Sequence, residues 1–420
     1  MKKSIIIALW FIGLQQLCAQ SNQNQAYQTV QINTITTGVP FLQIETNAQS
    51  YGSGAIGVVA PDIYTDNGFN QNPANLARGR RITGARFNYV PWLRKLVPDI
   101  NLFELGGYYS YNEKNIWAAS FRYFSLGDIT FTGSGGVIIG NYRPSEYVAS
   151  ARYAHYFSEY FSIGGALKYV HSGLYGGMPN PTTGKLFSTA QAIAGDLGFD
   201  FRRHYSLDEN TKLRWNIGLS LLNIGNKIDY HAGFEKQFLP ASLKLGTLFT
   251  FGFKQSEQSY IAIDIGYQCE KLLVPTPPIY ETDSAGNYIL NSTGDYIIQK
   301  GYNPNVTMSR GLYQSFYDAP GGAKEEWHEF VHQFGTELRM VTQGGKFLYA
   351  ARGGYFYENK TKGNRQFYTA GIGFGYCGIF ADLAYIIPTV QRHPLANTLI
   401  INIGIRTNLF GDSFRFKERI

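Results

Sequence analysis

Residues 399–410, LIINIGIRTNLF, decide how the chain is read. Leu399, Ile401, Ile403, Ile405, Thr407 and Leu409 share one parity, and Asn402, Gly404, Arg406 and Asn408 share the other. Side chains alternate faces along a strand, so this segment has one oily face and one wet face. A half-buried strand of a soluble sandwich carries the same alternation. The choice falls to a membrane barrel because the pattern recurs, each time over roughly ten residues, the length a tilted strand needs to cross a bilayer.

From Arg80 onward fourteen segments show this periodicity: 83–89, 104–111, 116–126, 147–157, 161–171, 191–202, 213–223, 241–253, 260–269, 330–341, 346–357, 366–376, 379–386 and 399–410. An even count returns both termini to one side, predicted to be the periplasm. Charge is segregated as a barrel requires. Arg86, Arg122, Arg152, Lys168, Asp264, Arg352, Asp382 and Arg406, with Asp196, Asp200, Arg214, Lys244, Glu337 and Arg339, all oppose their strand's large apolar residues. A Lys or Arg on the lipid face near midplane costs roughly 2–4 kcal/mol, so these side chains are predicted to face the lumen. The connections alternate between tight turns, such as 112–115, 158–160 and 377–378, and longer segments rich in Gly, Pro and Asn, such as 90–101, 127–145 and 271–329. The long set is predicted to be extracellular. The expected fold is therefore all-β: a 14-stranded antiparallel transmembrane β-barrel with an N-terminal hatch.

The rest of the chain fits this reading. Residues 1–19 open with Lys2 and Lys3, run through an apolar stretch and end at Ala19, the layout of a secretory signal peptide. Leu17 before Cys18 argues against a lipoprotein signal, which wants a small residue there. No later run is long and apolar enough for a spanning helix. With 31 Tyr, 29 Phe, 47 Gly and only 16% charged residues, the composition suits aromatic girdles and closely packed strands. The net charge of +7 is spread along the chain, and without a basic run it gives no sign of nucleic-acid binding. Residues 20–79 lack the alternation but contain PFLQI and AIGVVA, too apolar for a free tail, and are expected to plug the lumen as a hatch. Residues 80–410 form the barrel and 411–420 a periplasmic tail. Cys269 and Cys377 fall at opposite barrel ends and are predicted to be free thiols.

Residues 271–329 exceed what any hairpin needs, and loops of that size are usually functional. Their aromatic content, including Tyr280, Tyr288 and Tyr296, suits a contact surface or a lid over the barrel mouth. Candidate partner-binding residues on the outer loops are Trp92, Arg94, Tyr142, Arg143, Tyr175, Tyr302, Tyr313, Phe316 and Tyr317.

Enzymatic signatures are weak. HEFVH, residues 328–332, matches the zinc-protease pattern, which needs His328 and His332 one helical turn apart with Glu329 as base. Phe330, Phe334, Thr336, Leu338 and Met340 instead continue as a strand, which spreads the two histidines too far apart for one metal. His155, His171, His204, His231 and His393 stand singly, and GLYGG around Tyr175 lacks the Lys-Ser and helix of a phosphate cradle. No catalytic residue, metal or cofactor is assigned.

Several longer phrases are distinctive together: VPWLRKLVPDINL (90–102), FRYFSLGDITFT (121–132), GYFYENKTKGNRQFYTAGIGFGY (354–376), PTVQRHPLANTL (388–399), and PFLQI with NPANLA in the hatch. They resemble the PorV (LptO) family, outer-membrane barrels of the type IX secretion system that are similar in fold to FadL-type fatty-acid channels. The resemblance implies a non-enzymatic role in export. A PorV-like protein associates with a giant translocon barrel of the Sov or SprA type, accepts secreted proteins bearing a C-terminal targeting domain, and passes them to the sortase attachment complex. HEFVH departs from the family pattern. The alternative expectation is a FadL-like outer-membrane transporter of hydrophobic small molecules. It needs a continuous apolar path through the lumen, whereas the inward parity reads as charged.

Overall fold

The computed structural model describes residues 32–61, 69–77, 82–95, 97, 99–132, 138–174, 189–230, 235–389 and 394–408. The signal peptide, the start of the hatch, Tyr175, His231, His393 and the C-terminal tail lie outside these residues. The barrel and hatch belong to the compact unit Asn33–Ile420.

Among the described residues there are eighteen strands, in chain order β1 (Ile82–Pro91), β2 (Asn101–Ser110), β3 (Asn115–Ser125), β4 (Ile129–Thr132), β5 (Ile138–Tyr142), β6 (Ser145–Ser158), β7 (Phe161–Ser172), β8 (Ala190–Ser206), β9 (Thr211–Gly225), β10 (Ser242–Ser256), β11 (Ser259–Leu272), β12 (Ile279–Tyr280), β13 (Ile298–Lys300), β14 (Val331–Thr342), β15 (Phe347–Tyr357), β16 (Gln366–Tyr376), β17 (Ile379–Pro388) and β18 (Leu399–Asn408). Fourteen of them close one antiparallel barrel, and β4–β5 and β12–β13 are hairpins outside it. The seam joins first to last: β18 pairs with β1 from Ile82↔Asn408 to Tyr89↔Ile401. Closure leaves no strand edge in hydrocarbon, where every unpaired backbone group is costly.

The alternation read from sequence is realised as burial. On β3, Trp117 and Phe121 lie outside while Arg122 is buried. On β18, Ile403 and Ile405 point outward and Asn402 is fully buried. Short turns gather at one end and long connections at the other. Cys377, exposed in the turn between β16 and β17, and Cys269, half-buried near the long-loop end of β11, are both free thiols.

The lumen is filled in three tiers, so the charged inward parity read from the sequence describes its middle and not its ends. Near the long-loop end the inward residues are apolar: Val90, Leu102, Phe124, Val148, Val170, Phe356, Phe367 and Ile386 surround Val39, Phe41 and Tyr51 of the hatch. Phe41 stacks on Phe124 with ring centroids 5.8 Å apart. The middle tier is ionic. Near the short-turn end a second apolar set, Ile82, Tyr108, Ile116 and Ala154, closes on Phe69, Leu76 and Ala77. Strand parity dictates only which residues face inward, so apolar inward residues near strand ends were hidden among equally apolar neighbours.

Where the hatch presses on the wall, the wall is glycine. A Cβ on Gly354 would run into the backbone nitrogen of Gly54, and one on Gly198 into the Asn72 side chain. Gly266, Gly335 and Gly354 sit in register across β11, β14 and β15, which makes a smooth track for the hatch backbone.

Candidate interaction site at the long-loop end

The middle tier is a network of paired charges. Glu104 lies between Arg86 (3.5 Å) and Arg122 (3.8 Å) and accepts hydrogen bonds from Thr46 and Asn70 of the hatch. Across the barrel, Arg339 bonds Asp264 at 2.9 Å, Arg352 bridges Glu337 (2.5 Å) and Asp382 (2.8 Å), and Gln49 of the hatch donates to the other oxygen of Asp382 at 2.9 Å. Lys168 pairs with Asp196 at 2.7 Å. Arg152 is buried, donating to Ser120 and Ser150, and Arg406 is half-buried on the inward parity of β18. Sequence reasoning passed over Glu104, although it shares its parity with the inward residues Leu102, Gly106 and Tyr108. The hatch is also pinned by its backbone: the N–H groups of Gly57 and Val58 donate to Gln268 Oε1 at 3.0 and 2.8 Å. Ion pairs and hydrogen bonds between wall and hatch, such as Glu104 with Thr46 and Asp382 with Gln49, favour one arrangement of the plug.

Above the plug stands the long connection between β11 and β14. Its ends are clipped together by Lys271 and Glu329, 2.5 Å apart and each about 1% exposed. Glu329 also accepts from Lys362 at 2.9 Å and from the Thr276 hydroxyl at 2.7 Å. HEFVH is split: His328 ends the helix Ala323–His328 and His332 lies in β14, so the helical half is longer than the expected strand beginning at Phe330 allowed. His332 Nδ1 is 2.8 Å from the Tyr267 hydroxyl. Glu329 is thus held as an ion-pair centre. Burial pushes the Glu325 carboxyl up, but Lys362, the Gly321 N–H and Asn33 outweigh it and hold it below its ordinary value. Burial pushes Asp318 up to about 6, against hydrogen bonds from Gln314 and the Thr276 backbone.

The tip of this connection is built on an eight-residue repeat that sequence reading missed, Asp283-Ser-Ala-Gly-Asn-Tyr-Ile-Leu290 followed by Asn291-Ser-Thr-Gly-Asp-Tyr-Ile-Ile298. Its signal was the even spacing of Tyr280, Tyr288 and Tyr296. Asp283 and Asn291 each close a turn by accepting backbone N–H groups, with Gly286 and Gly294 at φ 85° and 88°. The repeats then bond in a ring: Ile289 N–H to Glu281 O, Ile297 N–H to Ile289 O, and Glu281 N–H to Ile297 O, at 2.9–3.0 Å. The three tyrosines pack mutually with centroids 5.3–5.7 Å apart.

The candidate contact residues fall on separate loops. Tyr302 and Tyr317 meet edge to face at 5.5 Å, and Tyr313, Phe316 and Tyr317 are exposed on and just after the helix Met308–Gln314. Trp327, on the helix Ala323–His328 of the same connection, is 64% exposed and packs on Phe330. Trp92 packs partly into the upper apolar tier, while Arg94 is exposed. Arg143 grips Asp128 through two bonds of 2.7 Å and Tyr142 donates to the Gly173 carbonyl, so both brace the β4–β5 hairpin.

A family model described as type IX secretion system protein PorV matches residues 26–279. The chain belongs to the PorV family. As a PorV-family barrel it is an outer-membrane component of the type IX secretion system. No curated protein shows a significant sequence match. Solved structures similar to it include the toluene transporter TbuX of Ralstonia pickettii (12% identity, covering 87% of this chain and 98% of that one, TM-score 0.40). The Pseudomonas putida toluene transporter TodX (10%, 90% and 98%, 0.37) and a Pseudomonas aeruginosa FadL homologue (10%, 90% and 100%, 0.37) also align. In this PorV-family chain the plugged lumen and the clipped loop adjoin, so the long-loop end presents a folded surface over a filled interior.

Proposed function

We propose that this PorV-family barrel is a cargo-accepting shuttle: it associates with a translocon barrel of the Sov or SprA type, receives proteins bearing a C-terminal targeting domain, and passes them to the sortase attachment complex. In this reading the long-loop end faces outward, the C-terminal strand ends on the periplasmic side, and no catalysis is involved. The observation that carries it is the loop between β11 and β14, pinned at its base by Lys271–Glu329 and exposing Tyr313, Phe316, Tyr317 and Trp327. Exposed aromatics on a rigid base are what a protein-binding surface needs, since little ordering entropy is lost on docking. The test replaces Tyr313, Phe316 and Tyr317 by Ala. The barrel is expected to stay folded while surface-anchored cargo falls, and unchanged cargo display overturns the assignment.

A second reading, a FadL-like transporter of hydrophobic molecules, draws on the apolar upper tier around Phe41. Uptake of a labelled long-chain fatty acid that depends on this protein supports it. Equal uptake with and without the protein removes it.

A further inference from the structure

The hatch runs through the lumen from the long-loop end to the short-turn end. Asn33 N–H donates to the Thr361 carbonyl at 3.0 Å in the connection after β15, and Gly38 N–H to the Phe238 carbonyl at 2.8 Å in the connection before β10. At the other extreme, the Ala77 carbonyl accepts from Arg202 at 2.8 Å, near the short turn between β8 and β9. Residues 33–38 therefore form a strap at the same mouth as the long loop. Strap and loop share one ionic clasp. Asn33 Nδ2 donates to Glu325 (3.0 Å) and to the Pro277 carbonyl (3.1 Å), and Lys362 bonds both Glu325 (2.6 Å) and Glu329 (2.9 Å). Between clasp and plug sits Val39, a buried β-branched residue at φ 52°, a conformation that persists only when its surroundings impose it. Tyr230 holds it by a 3.2 Å hydrogen bond to its N–H.

We propose that this clasp couples the long loop to the plug, so that a protein seated on the loop, by displacing the Glu325 helix, frees the strap and loosens the hatch from the long-loop end. The proposal rests on the loop being a contact surface. Coupling needs groups whose contacts differ between the two states, and Asn33, Glu325 and Lys362 supply them. The strained turn at Val39 favours release once the strap is free.

The test uses the full-length protein in whole cells with Cys269→Ser and Cys377→Ser, and a maleimide too large to cross the outer membrane. A thiol introduced by Thr34→Cys on the exposed strap is expected to label in intact cells, and labelling only after permeabilisation overturns the threading. A thiol introduced by Ser50→Cys in the buried hatch helix is expected to label slowly, and about tenfold faster when Lys362→Met breaks the clasp, equivalent to ~1.4 kcal/mol of local opening. Glu325→Gln, which keeps the shape of the side chain, is expected to give an intermediate rate. Arg143→Ala, which breaks an ion pair outside the clasp, should leave the rate unchanged. Equal rates for Lys362→Met and the intact clasp, or an equal rise with Arg143→Ala, overturn the proposal. If the Tyr313, Phe316 and Tyr317 replacements leave cargo display intact while Lys362→Met still accelerates labelling, the clasp stands and only the contact-surface reading falls.

Discussion

Gly354 has no room for a side chain, because the backbone of Gly54 lies where its Cβ would go. Gly354→Ala is expected to push the hatch off the wall and cost about 1–3 kcal/mol, the usual range for overpacking. Gly140→Ala, with nothing within 4 Å of the added carbon, should cost far less. Thermal midpoints from heat-modifiable gel migration compare the two. Asp318 carries a pH dependence of definite sign. Its carboxyl is raised from 3.8 to about 6, and one of its oxygens is buried with no hydrogen-bond partner among the described residues. Glu326 and Glu329 face it and add to the rise. At Asp318 the folded loop therefore binds more protons than the unfolded one between these values, so this group's contribution to loop stability is full below pH 3.8 and is lost as pH rises through about 6. Protease cleavage of the long loop is expected to be slower at acidic than at neutral pH, and Asp318→Asn should flatten that difference. A difference of opposite sign sinks the assignment.

Elements differ in how openly the sequence announces them. The wall strands were legible because lipid writes a two-residue period into each one, and Arg122 or Asp382 on the wrong face would be prohibitively costly. The hatch was legible only as an apolar stretch without period. Its direction of travel depends on Asn33 meeting Thr361 and Glu325, contacts separated by hundreds of residues that leave no local mark. The ionic tier was seen in most of its members but not in Glu104 of β2, whose role depends on Thr46 and Asn70 arriving from the hatch. Of the candidate contact residues, Tyr142 and Arg143 look alike in sequence to Tyr313 and Tyr317, yet they brace a hairpin while the latter are exposed. The helix carrying HEFVH's first half makes a further test available. Glu329→Gln leaves Lys271 with Glu326, 3.1 Å away, and weakens the hold on Lys362, so loop protection should drop, but by less than the roughly 3–5 kcal/mol typical of a buried pair broken outright. Chelator treatment should leave the same protection unchanged. A fall on chelation would return a metal to the site.

At the scale of the whole molecule, one solvent acts outside and a filled interior acts inside. Ile403, 53% exposed midway along β18, belongs to the lipid face, and Ile403→Lys is expected to lower barrel stability by about 2–4 kcal/mol. Asn402→Lys beside it meets the crowded interior instead, so the two substitutions should differ in kind: the first weakens the barrel in lipid, the second disturbs the hatch through Asn88, which Asn402 contacts at 2.6 Å. Thermal midpoints in bilayers, with thiol access in the hatch as the second readout, separate them. The seam between β1 and β18 also sets an order of assembly. The ring cannot shut until the last strand is available, so the hatch is enclosed on all sides only once residues 399–408 have docked on β1. A chain halted before residue 399 would therefore carry a gaping trough, which should make it a substrate for envelope quality-control proteases rather than a smaller working barrel.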